Sequence, residues 1–238
     1  MASFELHDVA LGYAGLAAVR HLNGAVASGS LTAIVGPNGS GKSTILKGLA
    51  GLLNPLSGHI ERCDIAHHQI AYLPQTGELD LNFPSTVFDL VSMGLWKKRG
   101  AFAGHNTADQ TSVSAALERV GLRDFTREQI NGLSGGQLQR ALFARLIVQD
   151  APVILLDEPF SAIDENTTED LMALIMEWHN QGRTIMAVLH DFEFVKMHFP
   201  QTLLLAKRPF AWGATSEVLH STSLANMTRI MHERIDAR

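Results

Sequence analysis

The stretch Gly36-Pro-Asn-Gly-Ser-Gly-Lys42-Ser43-Thr44 constrains the fold more than any other part of the chain. It follows an apolar, β-prone run, Leu31-Thr-Ala-Ile-Val35, and leads into a helix-forming run, Ile45-Leu-Lys-Gly-Leu-Ala50. Strand, glycine-rich turn and helix are the context of a phosphate-binding loop. Glycines let backbone N–H groups wrap a phosphate chain, and the helix N-terminus adds the positive end of its dipole. Lys42 of such a loop reaches the β- and γ-phosphates, and the Ser43 hydroxyl ligates Mg²⁺. The expectation is a nucleoside-triphosphate site built on Gly36, Asn38, Gly39, Ser40, Gly41, Lys42, Ser43 and Thr44.

Alternation of strand and helix on both sides of a helical middle points to an α/β core with a largely parallel sheet. Short strands are expected at Phe4–Leu6, Ala17–Val19 and Leu31–Val35, and a helix from about Ser43 to Leu53, stopped before Pro55. Gly58–Ile60 and Gln69–Leu73 read as strands around a polar turn. Helical periodicity marks 86–95, 108–120 and 135–149. Strands are expected at Val153–Leu156, Thr184–Leu189 and Thr202–Ala206, and helices at Glu165–Asn180 and Ser216–Ile235. The expected division is a nucleotide-binding core of 1–80 and 151–238, with 81–150 as a helical subdomain, in a single domain of 238 residues.

Composition limits the partners. The formal net charge is −5, and Lys97-Lys98-Arg99 is the longest basic run, so no nucleic-acid surface is expected. Cys63 is the one cysteine, which fits a reducing compartment. No apolar run reaches the length needed to span a bilayer, and no signal-peptide pattern is read at the N-terminus. A soluble chain is expected, held at any membrane by another protein. His59, Cys63, His67 and His68 lie close together around a predicted turn, but Cys-x₃-His-His is not a standard structural zinc spacing, and an exposed polar turn is expected.

Two further segments carry chemistry. Asp157-Glu158 ends the apolar strand Val153–Leu156, where open α/β sheets place ligand groups. Asp157 is placed to hold Mg²⁺, and Glu158 to orient and deprotonate an attacking water. Leu133-Ser-Gly-Gly-Gln137 opens a helix that Ser134 can cap, and Gly135 and Gly136 permit close backbone approach to an anion.

The chain resembles the nucleotide-binding subunit of an ABC transporter. The motifs come in the family order: Walker A at Gly36–Thr44, the Q-loop glutamine Gln75, the signature Leu133–Gln137, Walker B at Val153–Glu158, the D-loop at Ser161–Asp164 and the switch histidine His190. The resemblance implies a P-loop NTPase (RecA-like) core with a small antiparallel β part and an inserted α-helical subdomain. It implies that two copies meet head to tail and sandwich two ATP molecules with Mg²⁺. Ser134, Gly135, Gly136 and Gln137 of one copy then face the nucleotide held by the other. Tyr13 stands where the family stacks an aromatic on adenine, a strand-end aromatic being the plainer reading. The catalytic set implied is Glu158, His190 and Gln75, the metal set Ser43, Gln75 and Asp157, and Asp164 connects the two sites. Ile163 and the run Ala144-Arg-Leu-Ile147 depart from common family residues without removing a functional group.

The segments Leu81–Gly94 and Trp212–Leu219 look like those of importers of zinc, manganese or iron, and siderophore and cobalamin importers use similar sequences. The reading favours divalent-metal import, with zinc ahead of manganese. Implied partners are a second copy, integral membrane permease subunits and, indirectly, a periplasmic or extracellular metal-binding protein, at the cytoplasmic face of the cell membrane. Non-transport ABC ATPases that act on chromosomes or DNA breaks look like chains with long coiled-coil arms between Walker A and the signature, and here that gap is short and lacks heptads.

Overall fold

Strand β3 (Leu31–Val35) is buried at every position, which requires a sheet covered on both faces. The computed structural model describes residues 2–81, 83–96, 106–205 and 209–220. β3 lies inside a six-stranded sheet. With β5 (Ile70–Leu73), β6 (Val153–Asp157), β7 (Thr184–Val188), β8 (Gln201–Leu205) and β9 (Pro209–Ala214), the order is β5-β6-β7-β3-β8-β9. All pairings are parallel except β8 with β9. β6 and β7 are buried throughout, as their apolar runs Val153–Leu156 and Ile185–Val188 require.

A second, antiparallel sheet has the order β2-β1-β4, from β1 (Ala2–Tyr13), β2 (Leu16–Ala27) and β4 (Ser57–Arg62). Phe4, Leu6, Val9 and Leu11 of β1 face a core shared with Ile45, Leu46 and Leu49 of helix α1 (Lys42–Leu49). The hairpin is far longer than the short strands expected from sequence. Positive φ at Asp8 (46°) and His21 (56°) accompanies register shifts that break the two-residue alternation. Trp212 of β9 lies against this sheet: a Cβ at Gly24 would stand 2.7 Å from its ring.

Helix α1 ends at Leu49, earlier than expected. Gly51 turns the chain at φ 73°, and its amide bonds back to the Gly48 carbonyl at 3.0 Å, so glycine ends the helix before Pro55 does. The middle of the chain supplies α2 (Val87–Ser92), α3 (Thr107–Arg119) and α4 (Gly135–Gln149). Each begins on a capping box, formed by Thr86 with Asp89, Asn106 with Asp109, and Ser134 with Gln137. Stacked Phe143 and Trp178, with centroids 5.8 Å apart, join α4 to α5 (Glu165–Asn180). Helix α6 (Phe192–His198) and strand β9 were not expected from sequence. Helix α7 (Thr215–Val218) covers the start of the expected C-terminal helix. The rest of that helix, from 221 onward, lies outside the described residues, as does Lys97-Lys98-Arg99. Among the described residues no helix is long and apolar enough to cross a membrane.

Candidate active site

The loop after β3 holds three glycines at positive φ: Gly36 (152°), Gly39 (72°) and Gly41 (97°). Two of them are also demanded by space. A Cβ at Gly36 would sit 2.4 Å from the Leu205 carbonyl oxygen, and one at Gly41 would sit 2.2 Å from Val19 Cγ2. The loop is thereby pressed between β8 and β2 and fixed at the N-terminus of α1. The Ile45 amide closes the first turn onto the Gly41 carbonyl at 3.0 Å. Lys42 Nζ donates to the carbonyls of Gly36 (2.9 Å) and Pro37 (3.0 Å), so the ammonium is curled over its own loop. Burial lowers its pKa, and the charges of Glu158 and Asp157 oppose that shift. Ser40 Oγ is buried with no hydrogen-bond partner among the described residues.

The end of β6 stands beside this loop. Ser43 Oγ donates to Asp157 Oδ1 at 3.0 Å, across 114 residues of sequence. Tyr72 donates its hydroxyl to Asp157 Oδ2 at 3.3 Å. Asp157 is 1% exposed, and burial raises its pKa against those two hydrogen bonds. Ser43 and Asp157 are oxygen donors, the type that a hard divalent cation takes, and they meet at the phosphate end of the loop.

That pKa shift has a sign. A carboxyl whose folded pKa lies above its unfolded value of 3.8 holds its proton more tightly when folded. Its favourable contribution is present below 3.8 and is lost as pH rises through the folded value. Asp157→Asn is therefore expected to gain thermal stability relative to the native protein as pH rises above the ordinary carboxylate range. Melting curves of both proteins across pH, without nucleotide, check this. Parallel profiles would show that burial does not penalise the charge.

Glu158 follows with φ 51°, a conformation that a side chain other than glycine rarely holds. Its Oε1 accepts from Gln75 Nε2 at 2.7 Å and lies 2.9 Å from His190 Nε2. Gln75 Nε2 also lies 3.4 Å from Ser43 Oγ. His190 follows β7 on a fixed base. The Leu189 amide bonds to the Ile34 carbonyl at 3.1 Å, and Asp191 caps α6 by accepting from the amides of Glu193 and Phe194. Gln75, Glu158 and His190 thus converge from three loops. With Tyr13, Ala18, Asn38, Gly39, Gly41, Lys42, Ser43 and Thr44 they line one cleft of about 570 Å³. Tyr13 is 53% exposed at its edge, free to offer a ring face to a flat ligand.

The signature residues lie elsewhere. Ser134, Gly135, Gly136 and Gln137 do not line the cleft. They form the start of α4, where Ser134 N donates to Gln137 Oε1 at 2.9 Å and Ser134 Oγ accepts from Gln137 N at 3.3 Å. Ser134 and Gly135 are exposed. Asp164 also lies outside the cleft. It caps α5, accepting from the Thr167 amide (2.9 Å) and hydroxyl (2.8 Å), which lower its pKa. A Cβ on Gly136 would stand 3.6 Å from Asp164 Oδ2, so the signature and the D-loop touch within one chain.

Two residues that sequence reasoning did not single out serve this site. Tyr72 is one. The other is Gln139, 2% exposed, whose Nε2 donates to the Pro159 carbonyl at 2.7 Å and whose Oε1 accepts from Thr76 Oγ1 at 3.3 Å. It ties α4 to the residues after Gln75 and after Glu158. Its position was a legible signal, since it shares the apolar face of Leu142, Phe143 and Leu146. Gln139→Leu strands the buried Pro159 carbonyl and is expected to lower stability by about 1–3 kcal/mol. Chemical denaturation measures that loss, and an unchanged midpoint would mean the bridge is dispensable.

The ABC transporter family profile matches residues 19–161. A manganese transport system ATP-binding protein, MntB, of Listeria monocytogenes is 39% identical over 90% of this chain and 90% of its own length. A zinc transport system ATP-binding protein, TroB, of Treponema pallidum is 36% identical over 88% of this chain and 80% of its own. A solved structure described as an inward-facing metal-chelate type ABC transporter superposes with a TM-score of 0.85. It is 30% identical and covers 96% of this chain and 90% of its own. The fold is a P-loop NTPase core with a small antiparallel sheet and helical parts, and the chain belongs to the ABC transporter family. It is an ABC-type ATPase of a transport system.

Proposed function

We propose that this chain binds MgATP in the cleft and hydrolyses it to power import of a divalent transition metal. The observation that carries the reading is the convergence of Gln75, Glu158 and His190 on the loop that holds Lys42 and Ser43. Hydrolysis forms a bond from a water oxygen to the γ-phosphorus and breaks the bond from that phosphorus to the bridging oxygen of ADP. The water proton passes to the Glu158 carboxylate, which Gln75 and His190 hold in place. Ser43, Asp157 and Gln75 would hold Mg²⁺, which neutralises charge on the β- and γ-phosphates when bound. Lys42 leaves the Gly36 and Pro37 carbonyls for the phosphates, and Tyr13 stacks on the adenine.

The exposed signature supports a head-to-tail dimer. Ser134, Gly135, Gly136 and Gln137 stand at the N-terminus of a 15-residue helix, away from their own chain's cleft. In a second copy's cleft they would meet the γ-phosphate at the positive helix end. Asp164, in contact with Gly136, is placed to relay the state of one site to the other. We assign 81–150 as the helical subdomain and the rest as the ATP-binding core. Permease subunits, engaged by the residues after Gln75, would hold the dimer at the cytoplasmic face of the membrane, fed by a metal-binding protein outside.

For the cargo, the sequence ranks zinc ahead of manganese, and the similarity to both MntB and TroB supports the wider class of manganese or zinc. The test is ATPase activity of the transporter, assembled with its permease in liposomes. Binding protein loaded with manganese or zinc is expected to stimulate it. Stimulation by a siderophore- or cobalamin-loaded protein alone would overturn the metal-ion reading.

A further inference from the structure

Strand β1 turns alternate residues outward, and its partner β4 does the same. Glu5 pairs with Glu61 and His7 with His59 in the antiparallel register, so four metal-ligating side chains form a square on one sheet face. The His7 and His59 rings stack at 4.5 Å with planes 20° apart. Ligand atoms of His7, His59 and Glu61 all lie within 4.8 Å of one another. Glu5 Oε2 lies 3.6 Å from His7 Nε2. Two carboxylates directly opposite each other on a sheet repel, and a bound cation reverses the sign of that pair.

We propose that His7, His59 and Glu61 form a surface site for a zinc-class divalent ion, with Glu5 as the fourth donor. Two imidazoles and a carboxylate suit zinc, cobalt, nickel or copper. Magnesium and calcium prefer oxygen alone, and manganese ranks lowest among the transition metals in affinity. Tetrahedral zinc with nitrogen and oxygen ligands near 2 Å needs donor atoms roughly 3.3 Å apart. Exposed side chains close that gap by rotating about their χ angles. Because the ligands come from two strands, the ion clasps β1 to β4. Cys63, His67 and His68 do not join them: among the described residues, His7, His59 and Glu61 are the one cluster of three or more His, Cys, Asp or Glu ligand atoms.

The experiment is zinc titration of the full chain in magnesium-containing buffer, in competition with a chromophoric zinc chelator. The native protein is expected to hold one more zinc than the His7→Gln/His59→Gln double variant, and zinc is expected to raise the melting temperature of the native protein alone. Glu61→Gln should weaken that site by about tenfold or more. Cys63→Ala should leave its affinity unchanged. All four side chains face solvent, so the zinc-free variants should melt with the native protein, which separates lost binding from lost folding. Equal zinc stoichiometry in the double variant would overturn the site, as would loss of the ion in Cys63→Ala.

Discussion

Glu158→Gln is expected to keep ATP binding, reduce turnover by about 10²–10⁴-fold and accumulate an ATP-bound dimer. The amide has the shape of the carboxylate and can still accept from Gln75 Nε2 and His190 Nε2, which lie 2.7 and 2.9 Å from Oε1. It cannot take a proton from water. Lys42, Ser43 and Asp157 are untouched, so nucleotide affinity should persist, and with hydrolysis blocked the γ-phosphate stays as the ligand both copies share. Phosphate release and gel filtration in ATP read the two effects. Turnover at the native rate would refute Glu158 as the base.

Lys42→Ala is expected to weaken ATP binding by about a hundredfold. A hydrogen bond from a charged donor contributes about 1.5–3 kcal/mol, and the upper end of that range corresponds to roughly two decades in Kd. The ammonium is partly desolvated at a site whose nearby charges, Asp157 and Glu158, are both negative. Removing it leaves the phosphate chain facing those carboxylates with one cation fewer, so electrostatics and hydrogen bonding change in the same direction. Titration with a fluorescent ATP analogue measures the loss. Affinity within about threefold of native would show that backbone amides and the helix end hold the phosphates alone.

Local rules made much of this legible in the sequence. Helix α5 starts at its Asp164 cap and runs over the expected residues, and α4 starts at its Ser134 box. The phosphate loop and the carboxylate pair were readable because short-range geometry forces those residue types. Elements whose cause is tertiary were not. The long β1–β2 hairpin hides behind bulges at Asp8 and His21, and β9 exists because β8 offers it an edge. Gln139 became meaningful only when Thr76 and Pro159 were seen on either side of it. The cargo stayed at the level of a class because the residues that line the cleft are those of a nucleotide site, and none of them distinguishes one transported ion from another.

The sheet order has a consequence for synthesis. β7 lies between β3, which carries the phosphate loop, and β6, which carries Asp157 and Glu158. A ribosome that has made residues 1–183 has made both motifs, but not the strand that sets the distance between them. Contacts such as Ser43 to Asp157, 114 residues apart, carry a large loop-closure entropy that later strands must offset. The nascent chain can therefore fold its antiparallel sheet and α1 early, whereas a competent nucleotide site waits for Thr184–Val188. Until then the apolar edges of β3 and β6 stand open, which is the interval in which this chain is most exposed to misassembly.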